Sequence, residues 1–239
     1  MDNSIQVISF TKLALAFIPV MAVVGILYKW SLNYKNALYA LSRMLLQLLL
    51  VGYVLVYIFE SDNSLVVLAV LTVMAIAASW IALRTIKVQR RKLIPKALYS
   101  IIIGGGITLV LITQGVLDLS PWYSPRYMIP LAGMIFANAM NSVSLAAERF
   151  MAEIKRETVY QKARSIALRA SLIPITNTLF AVGLVSLPGM MTGQILSGIS
   201  PLMAVRYQIM VMCMVYSSAG ISAACFLLFI KQDFFAGRH

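Results

Sequence analysis

The 239 residues are 61% hydrophobic and 12% charged, with a mean hydropathy of +0.87, against roughly 45–50% and about 25% in soluble domains. This composition excludes a water-soluble globular protein; at ~20 residues per bilayer-spanning helix it is enough for roughly seven spans, and the expected fold class is all-α, a polytopic helical membrane protein. The formal net charge of +12 would point to nucleic acid in a soluble chain, but in a membrane protein it reports orientation, so no nucleic-acid partner is expected.

In chain order, the opening segment carries Asp2 and no basic residue, and no small-residue cleavage site follows Leu27. The first apolar run is therefore expected to be a retained span and not a signal peptide. Apolar runs at residues 8–27, 41–59, 65–83, 97–117, 128–147, 170–187 and 209–230 predict seven transmembrane helices. Residues 188–208, rich in Gly and Met, are too polar for a clean span and too apolar for an ordinary loop, and read as re-entrant or interfacial. Gly104, Gly105 and Gly106 in the fourth span predict close helix packing, since a phosphate loop would need a preceding strand. Pro174 predicts a kink, with neighbouring hydroxyls re-satisfying the freed carbonyl. Between Met134 and Ile173 there is neither Gly nor Pro, so the helices on both sides of the 148–169 connection are expected to extend past the membrane. Thr158 and Gln161 have capping-box spacing, which predicts a second helix starting at Thr158. Cys213 and Cys225 lie about 18 Å apart along one helix, beyond disulfide reach.

The 20 basic residues divide unequally. All but Lys12, Arg126 and Arg206 fall on one side of a seven-span chain. Positive charge accumulates on the cytoplasmic side, which places the N-terminus outside and the C-terminus in the cytoplasm.

The eight acidic residues all sit at span ends or in loops, and the single histidine is His239. Proton-coupled carriers use an intramembrane ionisable group, so proton coupling is not expected. The sequence has no H-E-x-x-H, no G-x-S-x-G and no phosphate-binding G-x-x-x-x-G-K-[ST] loop. An enzyme is therefore not expected, and any ATPase must be another polypeptide. Polar groups inside the spans are the candidate substrate pathway. Arg43 and Gln47, four apart, share one helix face; Asn138, Asn141 and Ser142 form a stripe; Asn177 follows in the next span, and Pro188, Gly189, Met190, Met191 and Gln194 lie beyond it. For the stripe, interhelical hydrogen bonding and pathway lining both stand. The 14 methionines read as apolar filler or as ligands for a soft metal, with no metal ligand assignable.

The run Gln47-Leu-Leu-Leu-Val-Gly-Tyr53 after Arg43, the run Asn141-Ser-Val-Ser-Leu-Ala146, Leu172-Ile-Pro174, and above all Val182-Gly-Leu-Val-Ser-Leu-Pro-Gly-Met-Met-Thr-Gly-Gln-Ile-Leu196 resemble the FetB-type iron-export permeases of ABC transporters. That family also includes plant permeases linked to aluminium tolerance. The resemblance implies that residues 1–239 form a single permease domain in the bacterial inner membrane, exporting iron. It also implies a separate ATP-binding subunit that holds ATP and Mg, no cofactor on this chain, and a homodimer about a two-fold axis. Coupling to the ATPase would fall to residues 148–169, in particular Thr158, Gln161, Lys162, Ala163, Arg164 and Arg169. The run from Glu153 to Arg169 departs from the family pattern in holding no glycine and no Glu-Ala-Ala. The residues alone leave open a non-transporting scaffold or regulatory subunit, or a permease for a non-metal substrate.

Overall fold

A computed structural model describes residues 8–86 and 89–231; Asp2, Lys87, Asp233, Arg238 and His239 lie outside them. The fold is all-α, and the chain divides between Ser61 and Asp62 into two compact units.

The first unit holds α1 (Phe10–Leu15), α2 (Phe17–Lys29) and α3 (Tyr34–Phe59). Ser9 caps α1, its hydroxyl accepting from the Lys12 N–H at 3.4 Å. The break at Ala16 sets Pro19 in the first turn of α2, where a missing N–H costs no helical bond. Asn33 caps α3 by accepting from the Asn36 N–H at 3.1 Å. No residue of α3 is buried.

The second unit holds α4 (Ser64–Ala82), α5 (Arg90–Ile101), two π-helical segments (Ile102–Gly106 and Leu111–Val116) around the short α6 (Ile107–Val110), then α7 (Pro125–Lys155), α8 (Tyr160–Ala181), α9 (Gly189–Leu196) and α10 (Pro201–Phe229). Its core is small and tightly packed. A Cβ on Gly104 would lie 2.6 Å from the Ser222 backbone nitrogen, and one on Gly105 would lie 2.9 Å from the Phe136 ring, so the expectation of close packing at the glycines holds. Opposite them on α10 lie Ser218, Ala219, Ser222 and Ala223, all buried; small residues on both sides let the backbones approach.

The paired residues set the directions. Glycine 104 faces Ser222 while the Lys96 ammonium reaches the Phe229 carbonyl at 3.0 Å, so the helix from Arg90 runs antiparallel to α10. Phe150 meets Tyr160 and Ser142 meets Ser171, so α7 and α8 form an antiparallel hairpin. One end of this unit consequently gathers Lys96, Arg149, Lys155, Arg156, Arg164 and Lys231, and the other gathers Asp118, Arg126 and the segment between α8 and α10.

Six helices among the described residues are long and apolar enough to cross a bilayer: Thr11–Lys29, Tyr34–Phe59, Ser64–Ala82, Arg90–Val116, Pro125–Lys155 and Pro201–Phe229. The expected span at 170–187 is corrected. Its helix begins at Tyr160 and stops at Ala181, because Gly183 adopts φ +84°, a left-handed conformation that suits glycine, and its N–H bonds back to the Ser186 carbonyl at 3.0 Å. Lys162, Arg164 and Arg169 occupy the first half of α8, so the helix is displaced toward its basic end relative to the expected run and is less apolar than the six. Residues 188–208 are also redrawn: they form α9, a short connection with Gly198 at φ +88°, and the first turns of α10.

The capping-box expectation at Thr158 is corrected as well. Tyr160 begins α8, Val159 occupies the cap position, and no side chain bonds there. The Thr158 hydroxyl instead donates to the Glu153 carboxylate at 3.3 Å. Across Pro174 the helix runs on. The hydroxyls of Ser171, Ser142 and Thr178 donate to the carbonyls of Leu168, Ser171 and Pro174 at 2.8, 3.4 and 3.0 Å, on either side of the Ala170 carbonyl that proline leaves without its helical partner.

Candidate functional site

The second unit carries its candidate site at the end opposite the basic cluster. Ser124 and Pro125 open α7, and Ser200 and Pro201 open α10, each an N-cap serine followed by a proline at the first helical position. The first turns of both helices meet α9. A cavity of about 490 Å³ forms there, walled by Arg126, Tyr127 and Met134 of α7, Met190 and Gln194 of α9, and Met203, Tyr207 and Met210 of α10, with Leu117, Pro130, Leu131 and Ile199 completing it. Of the sequence-derived pathway residues, Met190 and Gln194 reach this cavity. The Gln194 amide oxygen is buried there without a hydrogen-bond partner.

Met191 faces the other way, into a second cavity of about 360 Å³ lined by Val182, Leu187, Gln208, Met212 and Cys213 among others. Gln208 is 5% exposed and its amide oxygen is also unpartnered. Pro188 and Gly189 lie at the start of α9 and line neither cavity.

The polar stripe is elsewhere. Asn138, Asn141 and Ser142 line a small cavity of about 100 Å³ between α7 and α8, shared with Ser171, Pro174 and Thr178. Asn138 donates to the Met134 carbonyl at 2.8 Å within its own helix. Asn177 is exposed on α8 and not among the lining residues. Arg43 and Gln47 belong to the first unit, where the Gln47 amide, turned to present its oxygen, accepts from the Arg43 guanidinium at 3.0 and 3.3 Å.

The basic end is organised around Tyr160. Its ring stacks edge-on against Phe150 at 5.8 Å, and its hydroxyl donates to the Leu227 carbonyl at 2.7 Å. The guanidinium of Arg164 and the ammonium of Lys231 lie 5.8 and 6.0 Å from the ring. Burial pushes the phenol above its ordinary value, and the positive charge of Arg164 pulls the other way. Leu227 and Phe229 belong to the last turn of α10, where carbonyls run short of helical donors; Tyr160 and Lys96 serve there as caps supplied by other helices. In the α7–α8 turn, the buried Glu153 holds Arg149 at 2.8 Å and Arg156 at 3.6 Å. Of the expected coupling residues, Ala163 is fully buried, Gln161, Lys162 and Arg169 are exposed, and Arg164 is half-buried.

Sequence reasoning located Met190 and Gln194 by the odd composition of their segment. It missed Arg126, Tyr127 and Tyr207, which come together only through the packing of α7 on α10. The available signal was the pair of Ser-Pro helix starts that brackets them.

Long apolar helices and a cluster of charge at one end define a multi-pass helical membrane protein. The family model described as "Uncharacterised protein family (UPF0014)" matches residues 10–235, and the chain belongs to that family. It is 38% identical to the probable iron export permease protein FetB of Escherichia coli, covering 95% of this chain and 93% of that protein. It is 36% identical to UPF0014 membrane protein slr1647 of Synechocystis, over 90% of this chain and 89% of that one. With Protein ALUMINUM SENSITIVE 3 of Arabidopsis thaliana it shares 35% identity, over 89% of this chain and 82% of the plant protein. No solved structure matches the chain.

Proposed function

We propose that this chain is the membrane-spanning permease subunit of an ATP-driven exporter in the cell's inner membrane. The observation that carries the reading is the near full-length similarity to a protein named a probable iron export permease. The division of the second unit into two chemically different ends supports it. One end offers a cavity of the size used for small ligands. The other offers a basic helical hairpin suited to contact a soluble partner. On this reading α8 crosses the bilayer beside α7, the basic end faces the cytoplasm, and a separate subunit binds ATP and Mg. Two copies of the permease assemble about a two-fold axis, and the substrate passes by the polar stripe of Asn138, Asn141 and Ser142. The first turns of α8, with Gln161, Lys162 and Arg164, make the coupling contact.

Co-expression with a separate ATPase, co-purification and reconstitution into liposomes test this reading. ATP-dependent transport is expected only when both subunits are present. Ala163→Pro removes the bond from the Ala163 N–H to the Val159 carbonyl, 3.0 Å long, and costs the start of α8 about 3 kcal/mol. It is expected to abolish co-purification while leaving membrane insertion intact. Co-purification without any ATP-dependent flux would favour a regulatory subunit over a permease.

A further inference from the structure

The large cavity between α7, α9 and α10 has a chemistry that a bare metal cation does not match. No carboxylate, imidazole or thiol lines it. Its charged group is Arg126, which has no ion-pair partner among the described residues. A guanidinium beside low-dielectric walls raises a positive potential that repels cations and concentrates anions. Hard metal ions seek oxygen anions and soft ones seek sulfur; the methionines here line a volume of about 490 Å³, large enough for an organic molecule. The remaining lining is apolar and aromatic, with Tyr127 and Tyr207, and Gln194 presents a buried amide oxygen without a partner.

Deepening the permease reading and resting on it, we infer that this cavity binds an aromatic organic anion, carried free or as the ligand shell of a metal ion, and not the naked cation. Arg126 receives the carboxylate through its two-pronged donor face. The tyrosines and Met190 and Met203 cover the ring. The Gln194 amide, whose buried oxygen has no protein partner, turns to accept from a hydroxyl of the ligand. The walls thus fit a hydroxylated aryl carboxylate, whose own oxygens can hold a hard metal that this cavity cannot hold unaided.

Radiolabelled salicylate is the probe, applied by equilibrium dialysis to the full chain in lipid nanodiscs, without an ATPase. Saturable binding is expected, weakened at least tenfold in Arg126→Gln and less in Arg126→Lys. On the unaltered protein, benzoate should displace the probe and benzyltrimethylammonium, of similar size and opposite charge, should not. This second measurement does not depend on how any variant folds. Labelled ferric iron retained only when salicylate is present identifies the chelate as the cargo; salicylate bound equally with and without iron identifies the free anion. Absence of saturable binding, displacement by the cation as effective as by benzoate, or iron binding in the absence of salicylate would overturn the inference. Anion binding without ATP-dependent flux in the reconstituted pair would count against the permease reading alone.

Discussion

At Tyr160 a single hydroxyl ties two helices together. It bonds the Leu227 carbonyl at 2.7 Å in a buried setting, so Tyr160→Phe leaves that acceptor unpaired at a cost of about 1–3 kcal/mol. Because the folded value of the phenol lies above its unfolded value of 10.0, the stabilisation is full below that pH and is lost as pH rises through the folded value. The expected result is a lower unfolding midpoint for Tyr160→Phe, by a constant amount from neutral to mildly alkaline pH, read by thermal denaturation in detergent. The glycines give a contrasting pair. A methyl on Gly104 meets the α10 backbone at Ser222, whereas one on Gly106 meets nothing within 4 Å. Gly104→Ala is expected to destabilise by about 1–3 kcal/mol, while Gly106→Ala is expected to be neutral or to stabilise by up to about 1 kcal/mol. The same denaturation assay checks both, and equal effects would show that the α5–α10 approach is looser than these distances.

The helical elements differ in how openly the sequence announces them. Hydropathy finds α4 nearly to the residue, since it is apolar along its length and Asn63 caps it; it starts α3 seven residues late, because Lys35, Asn36 and Arg43 lower the hydropathy of a stretch that Asn33 caps. It truncates α7 and α10, because their first turns hold Arg126, Tyr127, Arg206 and Gln208 and fall outside an apolar window, although Ser-Pro marks both starts. It misplaces the helix that follows the hairpin: residues 182–187 are as apolar as a span, yet Gly183 and Pro188 bend them into a turn. Thr158 and Gln161 have the spacing of a capping box, but the buried Glu153 competes for the threonine hydroxyl and takes it. The candidate site was legible in the same uneven way. A polar residue in an apolar run, such as Asn141 or Gln194, stands out in a linear reading; Arg126 and Tyr207 stand next to loops, where charge and aromatics are ordinary, and acquire meaning only when α7 packs on α10.

For the whole molecule, the path of α8 decides the topology. Six helices among the described residues are long and apolar enough to cross; crossing by these alone would return the chain to the side it started from, whereas a seventh crossing by α8 ends it on the opposite side. The hairpin geometry favours the crossing. Pairing from Phe150–Tyr160 through Ser142–Ser171 lays α8 along α7, and 22 residues span about 33 Å, enough for the hydrocarbon core when Lys162, Arg164 and Arg169 extend toward the headgroups. Gln161 and Ser197, both exposed, then lie on opposite faces of the membrane. With Cys213 and Cys225 replaced by alanine, a membrane-impermeant maleimide added to whole cells is expected to label Ser120→Cys and Ser197→Cys and to spare Gln89→Cys and Gln161→Cys. Labelling of Ser120→Cys but not Ser197→Cys would mean that α8 turns back without crossing and that α9 does not reach the face that carries Ser120.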